Sequence, residues 1–306
     1  MITRSALIYL SRHEGLKEAA ARFKLFKKVT TRFVAGENIE EAVAAIRELN
    51  LEGCSASFDH LNESVGNAAE AEGEVREYLR VLARIDETGI RSNVSIKLTQ
   101  FGLELDPELT YKNARAVVAD AARRGNFVRV DMEGSNTTQA TIDIFKRLRA
   151  EFDLNDVGIV LQSYLRRTFD DAQDLLKLPA RIRICKGAYN EPPEVAFPAK
   201  KDTDENYIRV MQWLRSRGVY HGIATHDPKM IDATIEFAAK EGIKREAFEF
   251  QMLYGVRRDL QRQLSRDGYN MRVYVPYGKR WYPYFMRRLA ERPANIWFVL
   301  KNLLKG

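Results

Sequence analysis

The chain has 306 residues, 45% of them hydrophobic, and its 49 lysines and arginines against 42 acidic residues leave a net charge of +7. That length suits one α/β barrel or two ordinary domains, and basic residues interleaved with acidic ones argue against a nucleic-acid partner, which favours a basic stripe. No run approaches the ~18 apolar residues of a membrane-spanning helix, no secretion signal is expected at the start, and Cys54 and Cys185 suit buried free thiols in a reducing cytosol.

Residues 1–50 are helical in pattern, and the stretch that opens at Asn38 begins with a capping residue and continues with helical apolar spacing. Short β-branched runs follow at Cys54–Phe58, Val94–Leu98, Phe127–Met132, Gly158–Leu161, Arg181–Cys185, Gly222–Thr225, Phe248–Met252 and Arg272–Val275. Amphipathic stretches alternate with them at Ala68–Thr88, Leu109–Arg124, Thr137–Phe152, Phe169–Leu176, Asp204–Arg217, Pro228–Lys240, Val256–Arg266 and Trp281–Ala290. Eight strand–helix units in succession predict an α/β fold, a distorted (β/α)8 TIM-like barrel preceded by N-terminal helices. A doubly wound nucleotide fold would want a Gly-x-Gly-x-x-Gly turn, and the sequence has neither that nor a P-loop. There is no Pro/Gly/Ser-rich linker, so a single domain is expected: residues 1–50 as a helical segment packed on the barrel, and 51–306 as the catalytic barrel with a C-terminal helix.

The site of such a barrel lies at the C-terminal ends of its strands. Those ends carry Asp59, Lys97, Asp131, Gln162, Lys186, His226, Gln251 with Leu253, and Tyr274, so polar groups converge on one mouth. Lys97 and Asp131 sit in runs that should be buried, and buried charges need partners, so the two are expected to pair. Arg183 and Lys186 flank one strand end, and Gly187 and Ala188 after them would let a planar ring or a phosphate approach the backbone. Thr225 and His226 stand at the next strand end, before a helix N-terminus, which suits an anion. The histidines and cysteines lack metal-ligand spacing, so no metal is expected. Near the C-terminus, Tyr284 lies three and four residues before Arg287 and Arg288, which puts all three on one helix face; with Trp281 and Tyr274 they suit a clamp for a small carboxylate with an apolar body. Glu291 is spaced to hold the two guanidinium groups.

Seven segments, in order, resemble the proline dehydrogenase family, in its short monofunctional bacterial form. They begin at Val94-Ser-Ile-Lys, Val128-Arg-Val-Asp-Met-Glu, Val160-Leu-Gln-Ser-Tyr-Leu-Arg, Arg183-Ile-Cys-Lys-Gly-Ala-Tyr, Ala224-Thr-His, Phe248-Glu-Phe-Gln-Met-Leu-Tyr-Gly, and Tyr274 with Arg287-Arg-Leu-Ala-Glu. The resemblance implies FAD bound without a Rossmann domain and oxidation of L-proline to Δ1-pyrroline-5-carboxylate. By the same resemblance Arg287, Arg288 and Lys97 hold the substrate carboxylate; Tyr274, Tyr284 and Leu253 pack on its ring; and Asp131 orients the polar side. Met132, Gln162, Arg183, Lys186, Gly187, Ala188, Thr225 and His226 contact FAD, with Arg183 near the flavin N5. The electron acceptor it implies is a membrane quinone, and the product is expected to pass to a separate pyrroline-5-carboxylate (glutamate semialdehyde) dehydrogenase. The expected location is the cytoplasm, or the inner face of the cell membrane as a peripheral protein.

Glu63, on the loop after the first strand, is a candidate gate that pairs with Arg287. The final apolar stretch at Ile296–Leu304 is expected to cap the barrel. Two other readings stand beside the resemblance: a Schiff-base barrel of aldolase type with Lys97 or Lys186 as nucleophile, and a non-enzymatic binder of acidic partners.

Overall fold

The structure, a computed structural model, describes residues 31–62 and 65–291, without the side chains of Arg287, Leu289, Ala290 and Glu291. The segments expected at residues 1–30 and Ile296–Leu304 and the gate residue Glu63 lie outside the described residues. The chain runs α1 (Ile39–Leu51), β1 (Ser55–His60), α2 (Ala68–Thr88), β2 (Ser92–Ile96), α3 (Pro107–Arg123), β3 (Val128–Val130), α4 (Thr138–Glu151) and β4 (Val157–Gln162). It continues through α5 (Thr168–Leu175), β5 (Arg181–Cys185), α6 (Lys200–Arg215), β6 (His221–Ala224), α7 (Pro228–Lys240), β7 (Phe248–Leu253), α8 (Arg258–Arg266), β8 (Asn270–Tyr277) and α9 (Trp281–Glu291).

The helix boundaries have local causes. Asn38 caps α1 and Asn67 caps α2, each side chain accepting the backbone N–H three residues on at 3.0 Å. α7 opens with Asp227 accepting the Lys229 N–H at 3.1 Å and with Pro228, whose ring fits the first turn. α2 stops at Gly89, which takes the left-handed conformation at φ 62°.

All eight strands are parallel and close in sequence order, with β1 pairing both β2 and β8. Such closure leaves no free edge. Strand residues alternate between two environments. Phe58, Val94, Val128, Ile159, Ile184, Phe250 and Val273 join the helices in one continuous apolar layer. The alternate set inside the barrel is polar: Ser95, Arg129, Arg183, Glu249 and Gln251 are all buried there. A barrel interior is ordinarily filled by Val, Ile and Leu, so this one spends its central volume on hydrogen-bonded charge.

The helix ring closes in an unexpected place. α1, which precedes the barrel, packs on β1 and β8 and covers the seam between the first and last strands. Residues 35 and 36 bind the end of β8, through Ala35 N–H to the Pro276 carbonyl at 2.8 Å and Gly278 N–H to the Gly36 carbonyl at 3.0 Å. α9 then lies against Phe33, with the Phe285 ring 6.3 Å away. Among the described residues no helix is long and apolar enough to cross a membrane.

Candidate active site

Side chains from β1, β2, β3, β5, β7 and β8 meet in one hydrogen-bonded cluster at the C-terminal mouth. Asp59, almost fully buried at the end of β1, accepts from the Lys97 ammonium. Lys97 also donates to the Tyr274 hydroxyl at 3.2 Å. That hydroxyl donates to Asp131 Oδ2 at 2.7 Å, and Asp131 Oδ1 pairs with Arg183 Nη1 at 2.7 Å. Arg183 is completed by Nη2 donating to Ser95 Oγ at 3.1 Å and Nε donating to Gln251 Oε1 at 2.5 Å. The Tyr274 ring lies between two cations, 5.9 Å from Lys97 and 5.3 Å from Arg183.

One expected contact is corrected. Lys97 does not pair with Asp131: its ion pair is with Asp59, and Asp131 belongs to Arg183. β2 lies between β1 and β3, so a carboxylate is available to Lys97 on either side. Arg183, reaching across the barrel, takes one of them.

The ends of β4, β5 and β6 form the other half of the mouth. Gln162 donates to the Glu133 carbonyl at 2.7 Å, and Glu133 is itself held by the Thr99 hydroxyl at 2.7 Å. Met132 is buried beside them. Lys186 forms an ion pair with Asp204 at 2.5 Å and donates to Asp227 at 2.7 Å. Thr225 Oγ1 accepts from the Asp227 N–H at 3.0 Å, and His226 Nε2 accepts from the Leu253 N–H at 2.9 Å. Gly187 sits at φ +97°, and a Cβ there would come within 2.2 Å of the Tyr164 ring, so the turn after β5 admits only glycine. Ala188 beyond it is exposed. On α9, Tyr284 is buried and Arg288 half-buried, its guanidinium 5.3 Å from the Tyr284 ring. Arg287 is on the same helix; its side chain is outside the described set.

Electrostatics fix the protonation states. Burial works against the Lys97 ammonium, but Asp59 and Asp131 outweigh it and hold its pKa above the usual lysine value. Burial, reinforced by Asp131 and Asp59, pushes the Tyr274 phenol well up, so it remains a donor. Burial would raise the Asp227 carboxyl; the Lys186 hydrogen bond and charge prevail and bring it to about 2. The Cys185 thiol, pushed up to about 11 by burial, is inert as a nucleophile.

Strand-end reading selected Asp59 and Gln251 but gave them no role, and it did not select Ser95, Asp204 and Asp227. A period-2 polar pattern, Asn93, Ser95 and Lys97 alternating with Val94 and Ile96, marks Ser95, as it does Arg181 and Arg183, Glu249 and Gln251, and Arg272 and Tyr274 on their strands.

A family model described as proline dehydrogenase matches residues 42–301 of the chain. Proline dehydrogenase 2 of Bacillus subtilis (strain 168) is 43% identical over 305 residues, which cover 100% of both chains. The proline dehydrogenase of Deinococcus radiodurans is 42% identical over 292 residues, 94% of each chain. Among solved structures, proline utilization A (PutA) from Bdellovibrio bacteriovorus inactivated by N-propargylglycine matches with a TM-score of 0.82 at 25% identity, covering 87% of this chain and 33% of that one. This chain therefore spans about a third of the length of that solved relative.

Proposed function

The chain belongs to the proline dehydrogenase family, and from that premise we propose that it oxidises L-proline to Δ1-pyrroline-5-carboxylate with FAD at the barrel mouth, the first step of proline breakdown towards glutamate. The observation that carries the reading is the Lys97–Tyr274–Asp131–Arg183 cluster at the strand ends, buried at Asp131 and Arg183 and half-buried at Lys97 and Tyr274.

The donor set suits a flavin. The ends of three adjacent strands offer an amide at Gln162, a guanidinium at Arg183, an ammonium at Lys186 and a hydroxyl at Thr225, a mixture of donors and acceptors that the polar edge of an isoalloxazine and a phosphate group need. Met132, Gln162, Arg183, Lys186, Gly187, Ala188, Thr225 and His226 would hold it. When bound, the flavin supplies the hydride acceptor, at N5, for the carbon next to the ring nitrogen.

The chain's own residues supply orientation and charge. Asp59 and Asp131 balance Lys97 and Arg183 within the cluster. Arg288 and Arg287 would grip the substrate carboxylate, which a planar guanidinium fork matches in two bonds. Lys97 joins this clamp from the far wall. Tyr274 presents a ring face whose tilt is set by two hydrogen bonds at its hydroxyl, while Tyr284 and Leu253 close on the apolar ring. Fixing the carboxylate and the ring together holds the reacting carbon at near-attack distance. Arg183 places a permanent positive charge where electron density accumulates.

The lysine-nucleophile alternative needs a neutral amine. Lys97 is held protonated by Asp59 and Asp131, and the Lys186 side chain is engaged by Asp204 and Asp227, which does not favour either as a nucleophile. We further propose a membrane quinone as electron acceptor, a separate pyrroline-5-carboxylate dehydrogenase as the next enzyme, and Glu63 as a gate to Arg287.

The test is the absorbance spectrum of the purified protein before and after anaerobic L-proline. A flavin spectrum that bleaches supports cofactor and substrate together. A flavin spectrum that proline leaves unchanged sinks the substrate assignment, and a protein that stays colourless and inactive with added FAD sinks the cofactor.

A further inference from the structure

Arg183 is held on all three nitrogens, and the bond at Nε leads away from the mouth into the barrel. Its acceptor, Gln251 Oε1, belongs to an amide whose two ends differ: one accepts, the other donates. The Nε2 end lies 2.5 Å from Glu249 Oε1. Glu249 is 1% exposed and is anchored from β8 by Arg272, whose Nε stands 3.0 and 2.9 Å from its two oxygens, and by the Tyr220 hydroxyl at 3.2 Å. Arg272 is tied in turn to the Ala56 carbonyl through Nη1 at 2.6 Å. Burial favours a neutral Glu249, but Arg272 and Arg129 outweigh it and keep the carboxylate ionised.

An ionised carboxylate accepts and cannot donate. Glu249 therefore turns the NH2 of Gln251 towards itself and the carbonyl oxygen towards Arg183. The slot for this amide exists because β6, between β5 and β7, carries glycine there. Gly222 is in register with Arg183 on one side and Glu249 on the other, and a Cβ at Gly222 would stand 2.5 Å from Gln251 Nε2.

We propose that Gln251, oriented by Glu249 and admitted by Gly222, is a positioning residue that aims the Arg183 guanidinium at the flavin. This rests on the reading of Arg183 as the group facing the cofactor. The relay Arg272–Glu249–Gln251–Arg183 carries the orientation from the depth of the barrel to its mouth, and Asp131 and Ser95 fix the two remaining nitrogens.

The test uses the flavin-loaded enzyme and three variants: Gln251→Met, which keeps the volume and removes both amide bonds; Gly222→Ala, which removes no polar group and crowds the amide; and Arg183→Met. The readouts are the flavin midpoint potential, the melting temperature, and kcat and KM for proline. Gln251→Met and Gly222→Ala are expected each to weaken flavin reduction about tenfold, which for a two-electron couple is about 30 mV more negative. The loss should fall on kcat, with proline KM within about twofold of the parent. If Arg183→Met shifts the potential and neither of the other two does, the positioning role is refuted while the reading of Arg183 stands; a lower melting temperature without a shift counts against it equally. If Arg183→Met leaves the potential unchanged, the underlying reading fails and the relay falls with it. Should Gln251→Met not fold, Gly222→Ala decides alone.

Discussion

Lys97 and Asp131 act on each other through the Tyr274 hydroxyl, which accepts from the lysine at 3.2 Å and donates to the aspartate at 2.7 Å. One phenol thereby links the proposed carboxylate clamp to the proposed flavin-side arginine, and its loss should be felt on both sides.

Replacing Tyr274 with Phe keeps the ring and removes that link. The buried Asp131 loses a donor and Lys97 an acceptor, a defect of about 1–3 kcal/mol. The expected result is a fall of about 10- to 100-fold in kcat/KM for proline. Steady-state kinetics at saturating and limiting proline would check it, and unchanged kcat/KM would remove Tyr274 from the site.

Arg288→Lys preserves the charge and discards the planar fork. If Arg288 grips the substrate carboxylate, proline KM rises about tenfold or more while kcat changes less, as expected for a ground-state contact. A change confined to kcat would place Arg288 elsewhere in the reaction.

His221 supplies a pH signature of folding. Burial, with help from the nearby Arg215 and Arg129, depresses its pKa to about 3, and the neutral ring accepts from the Ile182 N–H at 3.1 Å. The unfolded chain binds this proton below about pH 6.5 and the folded chain does not, so stability is full above that value and declines as pH falls, by at most about 1.4 kcal/mol per unit for one proton. His221→Gln, whose amide oxygen still offers an acceptor, should be flatter between pH 6.5 and 4 in urea titrations. Parallel pH curves for parent and variant would refute the assignment.

Gly158→Ala should damage the fold rather than the chemistry. A Cβ there meets the Arg181 carbonyl at 2.4 Å and the Arg129 guanidinium at 2.6 Å, and the carbonyl is backbone that cannot step aside. Overpacking of this kind costs about 1–3 kcal/mol. The urea midpoint should drop, with proline KM little changed in the fraction that folds.

Much of this was legible in the chain itself. Ala68–Thr88 and Pro228–Lys240 match their observed helices because the caps and the proline are local signals, and the strands announce themselves as β-branched runs. The strand-end residues were legible for the same reason: a parallel barrel puts every C-terminal end at one mouth. Partner choice was not. Whether Lys97 takes Asp59 or Asp131 depends on Arg183 arriving from across the barrel, and Arg183 meets Gln251 only because Gly222 stands aside. α1 taking the seam between β8 and β1 was equally hidden, since an amphipathic helix does not say which groove it fills.

That seam has a consequence for assembly. β1 and β8 are the two strands furthest apart in the chain, and contacts between distant segments are slow to form. The helix that secures them is synthesised before either, so it must wait for the last strand to arrive before its full apolar face is covered. A chain shortened to begin at β1 would keep all eight strands and every cluster residue from Asp59 to Arg288, yet would leave the closing joint bare. The barrel behaves as a belt whose buckle is sewn to the leading end.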